Sequence, residues 1–201
     1  MIVIVDYNMG NLRSVSKAVE HLGGTVQVSR VPAEIEKADK LILPGVGAFG
    51  DACRELRALS LFEPIRRFLK SGKPFLGICL GLQLLFKKSE ESPDAEGLGI
   101  LEGAVKRFRS KNVKIPHMGW NNSKIVNPNA LVKNLPADPY FYFVHSYYAA
   151  PQDSKLVTGE TEYGQEKFAA ILSSGSIFAT QFHPEKSQEA GLQILRNFIN
   201  L

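Results

Sequence analysis

Apolar positions in the first eighty residues fall into two alternating textures. Short runs at Ile2 to Val5, Leu41 to Leu43 and Pro74 to Ile78 are continuous, as expected of strands covered on both faces of a parallel sheet, and Thr25 to Ser29 is a further short strand. Between them the spacing changes to that of a helix. Leu12, Val15, Val19 and Leu22 share one helical face over Leu12 to Leu22, and Gly23-Gly24 stops it. Pro32 to Ala38, Ala48 to Leu59 and Leu61 to Leu69 are also helical; Pro64 is tolerated in a first turn and Ser71-Gly72 ends the last of them. Strands alternating with helices predict parallel pairing.

A helical pattern continues from Leu80 to Phe86, and then the texture shifts. Ser92-Pro93-Asp94 marks a loop, after which Ala104 to Phe108, Gly119 to Val126, Tyr140 to Val144, Lys155 to Gly159, Phe168 to Leu172 and Ser176 to Phe182 are expected as strands split by Pro and Gly turns. Ser187 to Leu201 closes the chain as an amphipathic helix, with Ser187 as its cap. The prediction is one α/β domain over residues 1–201, with a mainly parallel central sheet, flanking helices and additional strands in the second half. Ligands of such sheets bind beyond the carboxyl ends of the strands.

Two residues that follow strands carry chemistry. Cys79 is centred in Gly77-Ile78-Cys79-Leu80-Gly81, a strand-to-helix turn whose small neighbours let the chain reverse tightly and display a nucleophile. His183 lies in Gln181-Phe182-His183-Pro184-Glu185; in an extended segment His183 and Glu185 point the same way, so the carboxylate can set the imidazole tautomer while the other nitrogen addresses the thiol. This predicts a Cys-His-Glu acyl-transfer site, with the thiolate aided by the helix beginning at Leu80. The oxyanion needs two N–H donors. Leu80 supplies one, and Val46 or Gly47 in the loop Pro44-Gly45-Val46-Gly47 the other. Gln83 sits one turn beyond Cys79 on the same helix face, where an amide can recognise a polar substrate group.

Composition narrows the alternatives. The 2 cysteines stand in unrelated contexts, which predicts a reducing compartment with no disulfide framework, and Cys53, on a helical stretch with no base nearby, is structural. The 4 histidines, His21, His117, His145 and His183, lack metal-ligand spacing, so no metal is expected. A net charge of +4 permits nucleic-acid contact, but the densest basic stretch, Lys106 to Lys111, has no accompanying motif, and none is expected. The N-terminus is no signal sequence and no apolar run reaches membrane-spanning length, which predicts a cytoplasmic protein. Gly45 to Gly50 matches G-x-G-x-x-G, yet it follows the third strand, Pro44 opens it and no acid ends a following strand at the right distance, which argues against dinucleotide binding.

The elbow and His-Pro-Glu resemble those of the class I (triad) glutamine amidotransferases, which have a Rossmann-like fold. Asp6 to Leu12, Leu43 to Phe49, Lys73 to Leu85, Pro116 to Asn121, Tyr142 to Tyr147 and Ala179 to Ser187 are similar, within that class, to the glutaminase subunits of imidazole glycerol phosphate synthases. One departure is Asn8, where glycine is commoner. The resemblance implies hydrolysis of L-glutamine by Cys79, His183 and Glu185, with Gln83 holding substrate and no metal or organic cofactor. It implies a heterodimer in which ammonia passes to a (β/α) barrel cyclase subunit in histidine biosynthesis, with Asn11, Met118, Trp120 and Lys186 as candidate contacts. A subunit of another class I amidotransferase, a stand-alone cysteine hydrolase and a silent interaction subunit are the competing readings; roles for His117 and His145 stay open.

Overall fold

The computed structural model describes residues 1–136 and 138–201. Its first half runs β1 (Ile2–Val5), α1 (Leu12–His21), β2 (Val26–Ser29), α2 (Pro32–Lys37), β3 (Lys40–Gly45), α3 (Phe49–Ala58), α4 (Phe62–Lys70), β4 (Phe75–Cys79) and α5 (Leu80–Gln83). The second half adds β5 (Phe86–Ser89), β6 (Leu101–Arg107), β7 (His117–Asn122), β8 (Lys124–Ile125), β9 (Tyr140–His145), β10 (Tyr147–Pro151), β11 (Val157–Tyr163), β12 (Glu166–Ser174), β13 (Ile177–Thr180) and α6 (Gln188–Ile199).

The central sheet has the order β2-β1-β3-β4-β13-β12-β11-β8. From β2 to β13 every pairing is parallel, and the last three strands are antiparallel. Alternation along the parallel strands feeds two cores. Val3, Val5, Leu41, Leu43 and Phe75 pack with Ile35, Phe49, Leu56, Ile65 and Phe68 from α2, α3 and α4. Ile2, Ile4, Ile42, Leu76 and Ile78 face the other way, onto Val15 and Val19 of α1 and Ile194, Leu195 and Phe198 of α6. That burial on both faces is why these strands are written as unbroken apolar runs. The expected α/β class and mainly parallel sheet are therefore present. Among the described residues no helix is long and apolar enough to cross a membrane.

Four local expectations are corrected. The helix after Cys79 stops at Gln83 and Phe86 begins a strand, because the carbonyls of Leu84 and Leu85 take N–H bonds from Leu98, Ile100 and Leu101, and Phe86 pairs with Leu101. The single strand expected over Gly119 to Val126 is two. β7 pairs with β9, β8 pairs with β11, and fully buried Ser123 bonds Thr161 between them. The strand expected at Lys155 opens instead as a 3-10 turn at Ser154–Leu156, and β10 had no signal in the pattern. Ser187 does not cap α6: its Oγ donates to the His183 carbonyl at 2.7 Å and accepts from the Tyr142 N–H at 2.9 Å.

Candidate active site

β4 lies between β3 and β13, so the residues that follow these three strands meet at one edge of the sheet. Cys79 is the last residue of β4 and sits at φ 54°, ψ −104°, outside the regions favoured by residues with a Cβ. Such a conformation costs on the order of 1–3 kcal/mol and persists only where the surroundings over-determine it. The glycines do so. A Cβ on Gly81 would lie 1.8 Å from the Leu43 carbonyl oxygen, and one on Gly77 would lie 2.7 Å from the Gly81 oxygen, so β3, β4 and α5 touch backbone to backbone around the sulfur. Asn8, the departure from glycine, also has positive φ (68°), which Asn tolerates better than most residues.

His183 reaches the same edge just beyond β13. Its N–H donates to the Tyr142 carbonyl at 3.1 Å, and Ser187 ties the same two residues together, so β9 fixes where the ring stands. Nδ1 lies 2.9 Å from Glu185 Oε1, both side chains being buried. This pairing is made by a 3-10 turn, Pro184–Lys186, and not by the extended segment the spacing suggested. With the Nδ1 proton held by the carboxylate, Nε2 is left for the thiol. Nε2 is buried and makes no hydrogen bond to any described residue; catalytic pairs often tighten only when substrate arrives. Burial pulls the imidazole pKa down, but the Cys79 sulfur and the Glu185 carboxylate bonded to Nδ1 outweigh it and hold His183 well above its ordinary value.

In front of the sulfur is a cavity of about 310 Å³ lined by Val46, Gly47, Leu80, Gln83 and Glu91 among others. β3 and β4 are in register up to Gly45 opposite Cys79, which brings the Val46-Gly47 turn beside the elbow. Gly47 needs its glycine, with φ 101° and a Cβ position 2.8 Å from the Met9 methyl. Gln83 is on the cavity wall but its Nε2 is engaged, donating to the Tyr147 carbonyl at 2.9 Å and to Gln181 Oε1 at 3.3 Å. Two residues escaped the sequence reading. Glu91, in the turn after β5, stood in no motif, and Gln181 was legible only as a polar residue near the end of the strand expected over Ser176 to Phe182, where a buried amide demands partners.

The remaining candidates do not line this cavity. Met118 and Trp120 on β7 are 62% and 48% exposed, which sets aside a core role for the tryptophan. Asn11 is half-buried where α1 begins, and Lys186 is exposed next to Glu185. Cys53 is buried on α3, and burial pushes its thiol up to about 11, the behaviour of an inert cysteine.

The family model described as glutamine amidotransferase class-I matches residues 3–201. The chain is 51% identical over 197 residues to the imidazole glycerol phosphate synthase subunit HisH of Moorella thermoacetica, covering 98% of this chain and 93% of that one. It is 50% identical over 204 residues to the protein of the same name from Syntrophotalea carbinolica, covering 98% of each. A solved structure described as a glutamine amidotransferase superposes with a TM-score of 0.77 at 20% identity over 100% of both chains. One of PurLQS from Thermotoga maritima gives 0.75 at 20% identity over 99% of this chain and 97% of that one. At that identity these two likenesses speak to the fold.

Proposed function

The chain belongs to the glutamine amidotransferase class-I family, and from that premise we propose that it is the cytoplasmic glutaminase subunit of an imidazole glycerol phosphate synthase. The observation that carries the chemistry is a strained, glycine-flanked Cys79 backed at the same sheet edge by a buried His183–Glu185 pair. The Cys79 thiolate attacks the side-chain amide carbon of L-glutamine. The N–H of Leu80 and one from the Val46-Gly47 turn receive the developing oxyanion, each such donor being worth a factor of about 10² to 10³ in rate. His183 gives its proton to the departing nitrogen, which leaves as ammonia, and a γ-glutamyl thioester remains. His183 then takes a proton from water, whose oxygen attacks the thioester; glutamate departs and the thiol is restored.

Glu91 suits the substrate's ammonium. Its Oε2 accepts the Phe49 N–H at 2.7 Å, which orients the carboxylate on the cavity wall. Gln83 also lines the cavity and is assigned to substrate as well. Ammonia passes to a cyclase subunit docked over this edge through Met118, Trp120, Asn11 and Lys186; the exposed apolar side chains of β7 are the kind that anchor interfaces. An electrophilic glutamine analogue should label Cys79 and not Cys53, and the labelled chain should elute with the cyclase as a heterodimer. Labelling elsewhere would remove Cys79 from the chemistry, and full glutamine turnover by the chain alone would favour a stand-alone hydrolase.

A further inference from the structure

Gln181 follows β13, two residues before His183, and is completely buried. Its backbone N–H donates to the Ala170 carbonyl of β12 at 2.8 Å, so the side chain springs from a rigid mount. The amide has two partners: Cys79 Sγ, 3.7 Å from Nε2, and Gln83 Nε2, 3.3 Å from Oε1.

Which end of that amide faces the sulfur is settled by its neighbours. The Tyr147 carbonyl can only accept, and both Gln83 Nε2 and His145 Nδ1 lie 2.9 Å from it. Gln83 therefore presents nitrogen on that side. The same nitrogen reaches Gln181, which has to answer with oxygen, leaving the Gln181 nitrogen toward the thiol. The chain of assignments continues outward without conflict. His145, protonated on Nδ1, accepts at Nε2 from His117 Nδ1 at 3.2 Å, and His117 Nε2 accepts from Asn121 Nδ2 at 3.3 Å. Asn121 spends its other proton on the Glu162 carbonyl at 2.9 Å. Burial keeps both rings neutral, pushing His145 down to about 3 and His117 to about 4, so the tautomers are stable at physiological pH.

We propose that Gln181 is a positioning residue of the glutaminase site: its Nε2–H is aimed at the Cys79 sulfur, favours thiolate over thiol and holds the sulfur toward the cavity. The inference rests on Cys79 being the nucleophile. A thiolate accepts a hydrogen bond better than a thiol does, so a fixed donor lowers the energy of the charged form. The other ionisable groups around the sulfur are His183 and Glu185 from the segment after β13, Tyr7 from the loop after β1, and Glu91, His145 and Tyr147 on the cavity wall. None of them hydrogen-bonds the Gln181 side chain, whose partners are Cys79 and Gln83.

The test is the pH dependence of Cys79 alkylation by iodoacetamide in the full chain, followed on the Cys79 peptide by mass spectrometry. Gln181→Glu keeps the oxygen that Gln83 needs and replaces the donor; Gln181→Asn keeps the amide but withdraws it from the sulfur. Both should move the alkylation profile to higher pH and slow Cys79 labelling, by up to about tenfold, on the rising limb of the parent profile. In the complex with the cyclase, kcat for glutamine should fall with little change in KM in Gln181→Glu, which leaves the Gln83 amide its acceptor. An unshifted profile in either folded variant overturns the proposal. So does failure of both to fold, which would make Gln181 a core residue. If Cys79 of the parent chain reacts no faster than Cys53, it is the nucleophile reading that fails instead.

Discussion

Substituting Gly81 by alanine tests whether close backbone packing builds the site. Its φ is not positive, so the added methyl group is the only penalty. That methyl would stand 1.8 Å from the Leu43 carbonyl oxygen, against a closest tolerable approach of about 3.0 Å, and the obstacle is β3 backbone instead of a side chain that can swing away. α5 has to retreat by more than an ångström. Overpacking of this kind costs about 1–3 kcal/mol, and at about 2–4 °C per kcal/mol for a chain of this length the melting temperature should fall by roughly 2–12 °C. Because α5 carries the Leu80 N–H and Gln83, an ångström of displacement should lower glutamine-dependent turnover on the order of 10²-fold. Synthesis from added ammonia by the complex should persist. Gly10→Ala is the control, since its methyl would meet nothing nearer than 3.5 Å. Thermal melting and the two assays, run on both variants in complex with the cyclase, decide the matter. A Gly81→Ala protein with parental melting temperature and glutamine-dependent rate would refute the account of the elbow.

Cys79→Ala should abolish glutamine-dependent activity in the complex and leave the ammonia-supported reaction intact; residual glutaminase activity would remove the thiol from the mechanism. Glu185→Ala should lose less activity than His183→Ala, because the base itself remains, and equal losses in folded variants would mean that Glu185 does more than orient. The raised His183 pKa also predicts a pH effect on stability. The folded chain keeps a proton that the unfolded chain releases near pH ~6.5, so this contribution is complete below that pH and drains away as pH rises toward the folded value. Melting temperature should therefore decline between pH 7 and 9 more steeply in the parent than in Glu185→Ala, and parallel curves would contradict the pairing. Finally, the chain alone should hydrolyse glutamine slowly and be activated by the cyclase carrying its nucleotide ligand, as measured by steady-state glutamate release; full activity of the isolated chain would exclude partner gating.

Local sequence determined the elements whose burial is two-sided and whose ends are punctuated. The apolar runs of β1, β3 and β4, the 3.6-residue stripe of α1 and the glycine stop after it are all written within a few residues of where they act. So is the elbow, since only Gly77 and Gly81 permit the contacts around Cys79. His183 and Glu185 could be named from their motif, but their 2.9 Å pairing depends on the 3-10 turn and on β9 pinning the His183 backbone. The second half was less legible because many of its strands are part exposed, and their limits are set by partners far along the chain. Phe86 became a strand by meeting Leu101, and β7 and β8 parted at Ser123 because Thr161 bonds it there. Glu91, the orientation of Gln181 and the histidine chain from Asn121 to Tyr147 belong to tertiary structure alone. Each depends on hydrogen-bond partners tens of residues away, and no local spacing encodes which end of a buried amide will face a sulfur.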